Sequence, residues 1–265
     1  EKTTREAPTR ASLSSLQGRL LGRVRAKPFL QLGDLGLLRR NNILGELTDT
    51  QALIGFVGAP FTLASYLVEG GPSRNYTITK SMMYSAPELW HALMGHLADI
   101  TITFLRTQLD AGVDAIQLFD SWAGSLSLRD YQEHVAPHSA AALESVADLP
   151  VPRIHFGTGT GDLLAAMRDA GAEAVGVDHR LSLSEAVRRV GHGTVLQGNI
   201  DPALLPAPAE VLHRHVDEVL AAGAEAAGHV VNLGHGVPPS TDPQVLTDLV
   251  SYIHDQKPEH GPAGG

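Results

Sequence analysis

Residues 152–197 read PRIHFGTGTGDLLAAMRDAGAEAVGVDHRLSLSEAVRRVGHGTVLQ. Three short apolar runs stand out: Pro152–Phe156, Ala174–Val177 and Thr194–Gln197. They show little alternation between apolar and polar residues, which marks strands buried on both faces, the habit of a parallel sheet. Helical stretches lie between them, at 161–171 and 183–190, and Gly171 and Gly191 stand where left-handed C-caps belong. A strand–helix–strand–helix–strand series around one core predicts an α/β fold.

The same rhythm extends in both directions. Leu53–Val57, Asp114–Phe119 and His229–Leu233 read as further strands, and 86–111, 129–148 and 208–222 as helices, with Gly112 and Gly223 as stops. Asp201-Pro202 and Asp242-Pro243 read as N-cap plus first-turn pairs opening the last two helices. Two architectures fit, an open doubly wound sheet and a (β/α)8 TIM-type barrel. Polar residues follow five of the strands: Asp120-Ser121, Gly157-Thr158, Asp178-His179, Gly198-Asn199 and His235. A ring of strand-end loops converging on one pocket favours the barrel, because an open sheet gathers its chemistry at a single switch point.

Composition narrows the chemistry. The 265 residues are 43% apolar and 18% charged, an ordinary globular balance. Cysteine is absent, which removes disulfides, thiolate catalysis and cysteine-containing zinc sites. That fits a reducing compartment, and the expected location is cytoplasmic. The most apolar early stretch, 20–38, is broken by Arg23, Arg25, Lys27 and Asp34, so no membrane helix is expected. Net charge is −9, yet residues 1–40 carry nine Lys+Arg against three Asp+Glu, leaving −15 for the rest. The basic start reads as a loose tail or a solvated helix face. An acidic body with two Trp and five Tyr offers no basic groove for nucleic acid.

Four segments carry candidate chemistry. Gly157-Thr-Gly-Thr-Gly161-Asp162, with Asp178 ending the next strand, mimics a nucleotide or S-adenosylmethionine site, although its spacing is GxGxG and its place is mid-chain. The alternative is a glycine-rich strand–helix turn. Asn232-Leu-Gly-His235-Gly236 sets a histidine between two glycines at a strand end, where it can face a pocket or simply be solvated. Phe119-Asp120-Ser121-Trp122 ends another strand. Ser121 can bond an acid group, Trp122 can wall a pocket, and Asp120 fits either a general base or a turn. In Ser65–Arg74, Tyr66 has an apolar body with a polar tip, and Arg74 is a possible carboxylate or phosphate clamp. His155, His179 and His192 lack metal-ligand spacing.

Five segments together, IGFVGAPFTLASYLVEGGPSRNY (54–76), LFDSWAG (118–124), GTGTGDLLAAMRDAGAEAVGVDHR (157–180), LQGNIDP (196–202) and NLGHGVPP (232–239), resemble the uroporphyrinogen decarboxylase family. The resemblance runs from about Gly45 to His254. It implies a (β/α)8 barrel, usually dimeric, that removes carboxylates from the acetate side chains of uroporphyrinogen III to give coproporphyrinogen III. No metal or organic cofactor is implied. Tyr66, Ser121 and His235 match substrate-binding and catalytic positions, and Phe119 matches a pocket wall.

The resemblance also implies an arginine-containing loop after a first strand and an aspartate after a second. Residues 1–44 show neither, and Asp34 in QLGDLG is a poor substitute. The barrel is therefore expected to be incomplete at its N-terminus. The implied domain plan is a divergent basic segment 1–44, a barrel 45–256 and a disordered tail 257–265. Two other readings remain beside this one. One is an inactive or truncated homologue that binds tetrapyrrole without turnover, and the other is the nucleotide or S-adenosylmethionine enzyme. A corrinoid-type zinc methyltransferase would need a cysteine beside His155-Phe156-Gly157.

Overall fold

The apolar runs become six strands: β1 (Ile54–Gly58), β2 (Ala115–Phe119), β3 (Arg153–Phe156), β4 (Ala174–Gly176), β5 (Val195–Gln197) and β6 (Gly228–Val230). The structure, a computed structural model, describes residues 51–256. By its contacts the chain divides into a unit ending at Gln51 and a second beginning at Ala52; the fold is that of the second. The expectations for 1–44, Asp34 and 257–265 lie outside the described residues.

All the strand pairs are parallel, and the sheet order is β1-β2-β3-β4-β5-β6. A doubly wound sheet reverses direction at a switch point. Here each strand pairs with the next in sequence, so the winding is that of a barrel. Among the described residues the sheet does not close, and β1 and β6 are its edges.

The helices are α1 (Pro60–Glu69), α2 (Thr77–Ser85), α3 (Pro87–Asp110), α4 (Leu128–His134), α5 (Ala136–Glu144), α6 (Leu164–Asp169), α7 (Leu183–Val190), α8 (Ala209–Gly223) and α9 (Pro243–Asp255). On α3, Trp90, Met94, Leu97, Ala98, Thr101 and Leu105 are buried, a three-and-four spacing that gives the helix one inner face. Outward-pointing strand residues such as Val57, Leu118, Val175 and Leu196 are buried in the apolar clusters that include the helices' inner residues. Burying one such Leu or Val contributes about 1.5–3 kcal/mol.

Several boundaries depart from expectation for local reasons. The single helix expected over 129–148 is two, broken at Val135, because Pro137 has no N–H for the carbonyl four residues back and its ring clashes there, while it is tolerated in the first turn of a new helix. Asp201 does cap a helix, accepting from Ala203 N at 2.9 Å, but it is a three-residue 3-10 turn, Pro202–Leu204. The long α8 begins later, after Pro208. Asp242 caps α9 as expected. The strand expected at 229–233 pairs only through Val230, with Leu233 making an isolated bridge to Ile200. Gly223 is the last residue of α8 and not a left-handed cap; Ala224 follows in right-handed geometry.

Candidate active site

Inner and outer positions alternate along each strand. Gln117 and Phe119 of β2 therefore share the sheet's inner face with Phe56, Phe156 and Gln197, their neighbours in register. The Phe119 ring meets Phe56 edge-on at 5.6 Å and Phe156 at 5.7 Å. Below them, Gln197 Nε2 donates to Gln117 Oε1 at 3.0 Å. The loop after β6 completes a cavity of about 270 Å³ with Asn232, Leu233 and His235.

His235 is held there by the glycine before it. Gly234 N donates to Ile200 O at 2.7 Å, and a β-carbon on Gly234 would lie 2.3 Å from His179 N. Backbone packs on backbone at that point, so the loop can follow this path only with glycine. His235 itself is exposed and faces the cavity mouth.

Tyr66 packs on Trp122, the residue that follows Ser121 in the chain. The Tyr66 ring lies 3.8 Å from Trp122, tilted by 42°, and Tyr76 packs near the same indole at 5.2 Å. Tyr66 is 49% exposed, so it is a rim residue and not a core one. Ser121 is half-buried, and its carbonyl accepts from Thr158 Oγ1 at 2.6 Å. That bond ties the Ser121 loop to the glycine-rich loop after β3. Phe119 and His235 thus share the cavity, while Tyr66 and Ser121 are not among its lining residues. Arg74 is exposed on the loop between α1 and α2.

Asp120 is wholly buried and does not face the cavity. Its Oδ1 accepts from Thr62 Oγ1 at 3.1 Å, and its Oδ2 lies 3.7 Å from the equally buried His155 Nε2. Burial, reinforced by Asp120, pushes the Tyr131 phenol well above its ordinary range. These groups brace the strand ends from behind. The general-base expectation for Asp120 fails because solvent and ligand do not reach it.

The nucleotide reading of the glycine-rich loop also fails on geometry. Asp178, the acid that would hold a ribose, already accepts from Gly159 N at 2.5 Å and Arg180 N at 3.1 Å. One backbone donor of the loop, Gly159 N, is thus turned onto the chain's own carboxylate, and that carboxylate is already engaged. Among the described residues no group of three or more His, Asp or Glu could hold a metal ion.

Two polar lining residues, Gln117 and Gln197, escaped sequence reasoning. The available signal was a glutamine inside each of two apolar strands, AIQLF and VLQ.

A model of the family uroporphyrinogen decarboxylase (URO-D) matches residues 37–256. A uroporphyrinogen decarboxylase of Salinispora tropica is 61% identical over 213 residues, covering 80% of this chain and 57% of the relative. One of Arthrobacter sp. is 53% identical over 259 residues, covering 98% of this chain and 71% of the relative. The chain thus spans little more than half the length of the first of these relatives. Among solved structures, a B12-independent methionine synthase from Shewanella sp. superposes with a TM-score of 0.57 at 13% identity, covering 82% of this chain and 64% of that one. That likeness concerns the fold alone. With a family model matched over most of its length, the chain belongs to the uroporphyrinogen decarboxylase family.

Proposed function

We propose that this chain takes part in removing the acetate carboxylates of uroporphyrinogen III, giving coproporphyrinogen III. The observation that carries the proposal is the convergence of Phe119 of β2 and His235 of the loop after β6 on one cavity. Tyr66 packs on Trp122, next in the chain to Ser121. The substrate would supply its own electron sink. A proton adds to a pyrrole ring carbon, the bond from the acetate methylene to its carboxylate breaks, and the electron pair flows into the cationic ring as carbon dioxide leaves. A proton then adds to the exocyclic methylene, and the ring proton departs.

In this scheme His235, Tyr66 and Ser121 donate hydrogen bonds to substrate acid groups, and Phe119 packs against a pyrrole face. Such donors act by being held in place before charge develops. A cavity of about 270 Å³ is large enough to take one pyrrole ring with its arms. Residues 45–256 form the barrel-like domain in this reading, and a second copy of the chain is the proposed partner. A second reading is binding without turnover. It is favoured by the absence of any arginine or carboxylate from the described cavity lining.

The test is anaerobic equilibrium binding of uroporphyrinogen III. His235→Ala and Tyr66→Phe should each weaken binding by about 1–3 kcal/mol, the worth of a hydrogen bond to a charged acid. Unchanged affinity in both variants would overturn the pocket assignment.

A further inference from the structure

Tyr66 and the Ser121–Trp122 turn come from different elements, and the ring contact between Tyr66 and Trp122 lies at an exposed rim. A contact open to water fixes little by itself. The structure holds a second link between the same two elements, below the rim and out of solvent. Asp120 stands between Phe119 of the cavity wall and Ser121. Its Oδ1 accepts from Thr62 Oγ1 at 3.1 Å, with Asp120 wholly buried and Thr62 6% exposed. Thr62 precedes Tyr66 by one turn on the same side of α1.

α1 is already tied to β2 at its start, where Ala59 N donates to Phe119 O at 2.8 Å. One bond at the end of a helix leaves the rotation about its axis open. Phe61 and Ala64 hold α1 down by apolar packing, which has no direction of its own. A side-chain hydrogen bond from Thr62 does have one, and it is stronger for being dry. Asp120 is a firm post for it. Its N donates to Phe156 O at 2.7 Å, and its carbonyl oxygen lies 2.8 Å from where a β-carbon on Gly157 would be. Burying a carboxylate there costs more than burying a leucine or an asparagine, so packing alone does not account for it.

We propose that Asp120 is a positioning residue. Through Thr62 it sets the rotation of α1, and so holds the Tyr66 hydroxyl beside the Ser121–Trp122 turn. This task needs no ligand to reach Asp120. The importance of Tyr66 rests on the tetrapyrrole reading, but its placement can be tested apart from that reading.

Thr62→Val keeps the shape and removes the hydroxyl, and Thr62→Ser keeps the hydroxyl. Trp90 is wholly buried, so acrylamide quenching of tryptophan emission reads Trp122. Quenching should steepen in Thr62→Val and return to its original slope in Thr62→Ser, with far-ultraviolet circular dichroism unchanged in both. Anaerobic binding of uroporphyrinogen III supplies the second readout. Tyr66→Phe should weaken binding by about tenfold in the unsubstituted chain and in Thr62→Ser, the effect of losing a hydrogen bond to a charged acid. In Thr62→Val the same change should have almost no effect, because the hydroxyl is already misplaced. A purely structural Thr62 would leave the two effects independent, with Tyr66→Phe costing the same factor in every chain. That result overturns the proposal, as does quenching that Thr62→Val leaves unaltered or that Thr62→Ser fails to restore. If Thr62→Val does not fold, Thr62→Ala takes its place. Loss of fold in both would make the bond a requirement of folding and overturn the narrower role. A chain that binds no uroporphyrinogen III loses the tetrapyrrole reading, and the quenching result then decides the placement of Tyr66 alone.

Discussion

A β-carbon on Gly223 would lie 2.1 Å from His229 Nδ1. The His229 ring fills that space and bonds through Nε2 to Gly198 O at 2.6 Å. The glycine is there for the close approach of α8 to β6, not for a turn. Gly223→Ala should therefore overpack the helix–sheet contact and destabilise the fold by about 1–3 kcal/mol. Urea denaturation checks it, and a change below a few tenths would show that the ring moves aside freely. The candidate site was legible at this scale only in part. Tyr66, Phe119, Ser121 and His235 stood out through motifs. Gln117 and Gln197 did not, because a glutamine in a short apolar strand reads the same whichever face it occupies. Only the register of β2 against β5's neighbours reveals that both point inward.

Elements were legible where a strand was apolar throughout and a helix had a clean start. α3 and α7 match expectation closely. Ser182 caps α7, accepting from Glu185 N, and Gly191 ends it with φ of 86°. α1 was missed because it starts directly after β1 at Pro60, with Ala59 and no polar cap before it. The edge strand β1 shows an adaptation that no linear pattern announces. Gln108 of α3 accepts from Phe56 N at 2.8 Å and donates to Phe56 O at 3.0 Å, while Thr101 donates to Gly58 O at 3.2 Å. Side chains thus occupy peptide groups that would otherwise template another strand. Gln108→Leu should raise concentration-dependent association, read by light scattering; an unchanged profile would show that the edge is blocked without it.

The junction of α3 and α5 makes a pH prediction. His91 Nδ1 and His138 Nε2 are 2.9 Å apart, with the His134 ring 5.8 Å from His91. Burial, with His91 adding to it, holds His138 below its ordinary value of 6.5. Below that value the unfolded chain binds the extra proton first, so stability falls as pH drops through it. Unfolding midpoints at about pH 5.5 and 7.5 bracket the transition of an ordinary histidine. His138→Gln should narrow the gap between them. An equal gap in the variant would remove His138 from the account.

At the scale of the molecule, the strand succession gave barrel-type winding, and the sheet order agrees with it. Among the described residues the sheet does not close, and inner-face residues are bare: Phe56 is 63% exposed, Ile54 38% and Val230 43%. Composition and periodicity report which segments are strands, but closure depends on how many there are and on what meets the two edges. The chain covers 57% of its Salinispora relative, so the activity has to be tested on this chain itself.

The most direct measurement is anaerobic incubation of the folded chain with uroporphyrinogen III, followed by chromatographic separation of the oxidised porphyrins. The account predicts the tetracarboxylic product together with partly decarboxylated intermediates. Recovery of the octacarboxylic compound alone, from a chain shown to be folded by its far-ultraviolet circular dichroism, would contradict it.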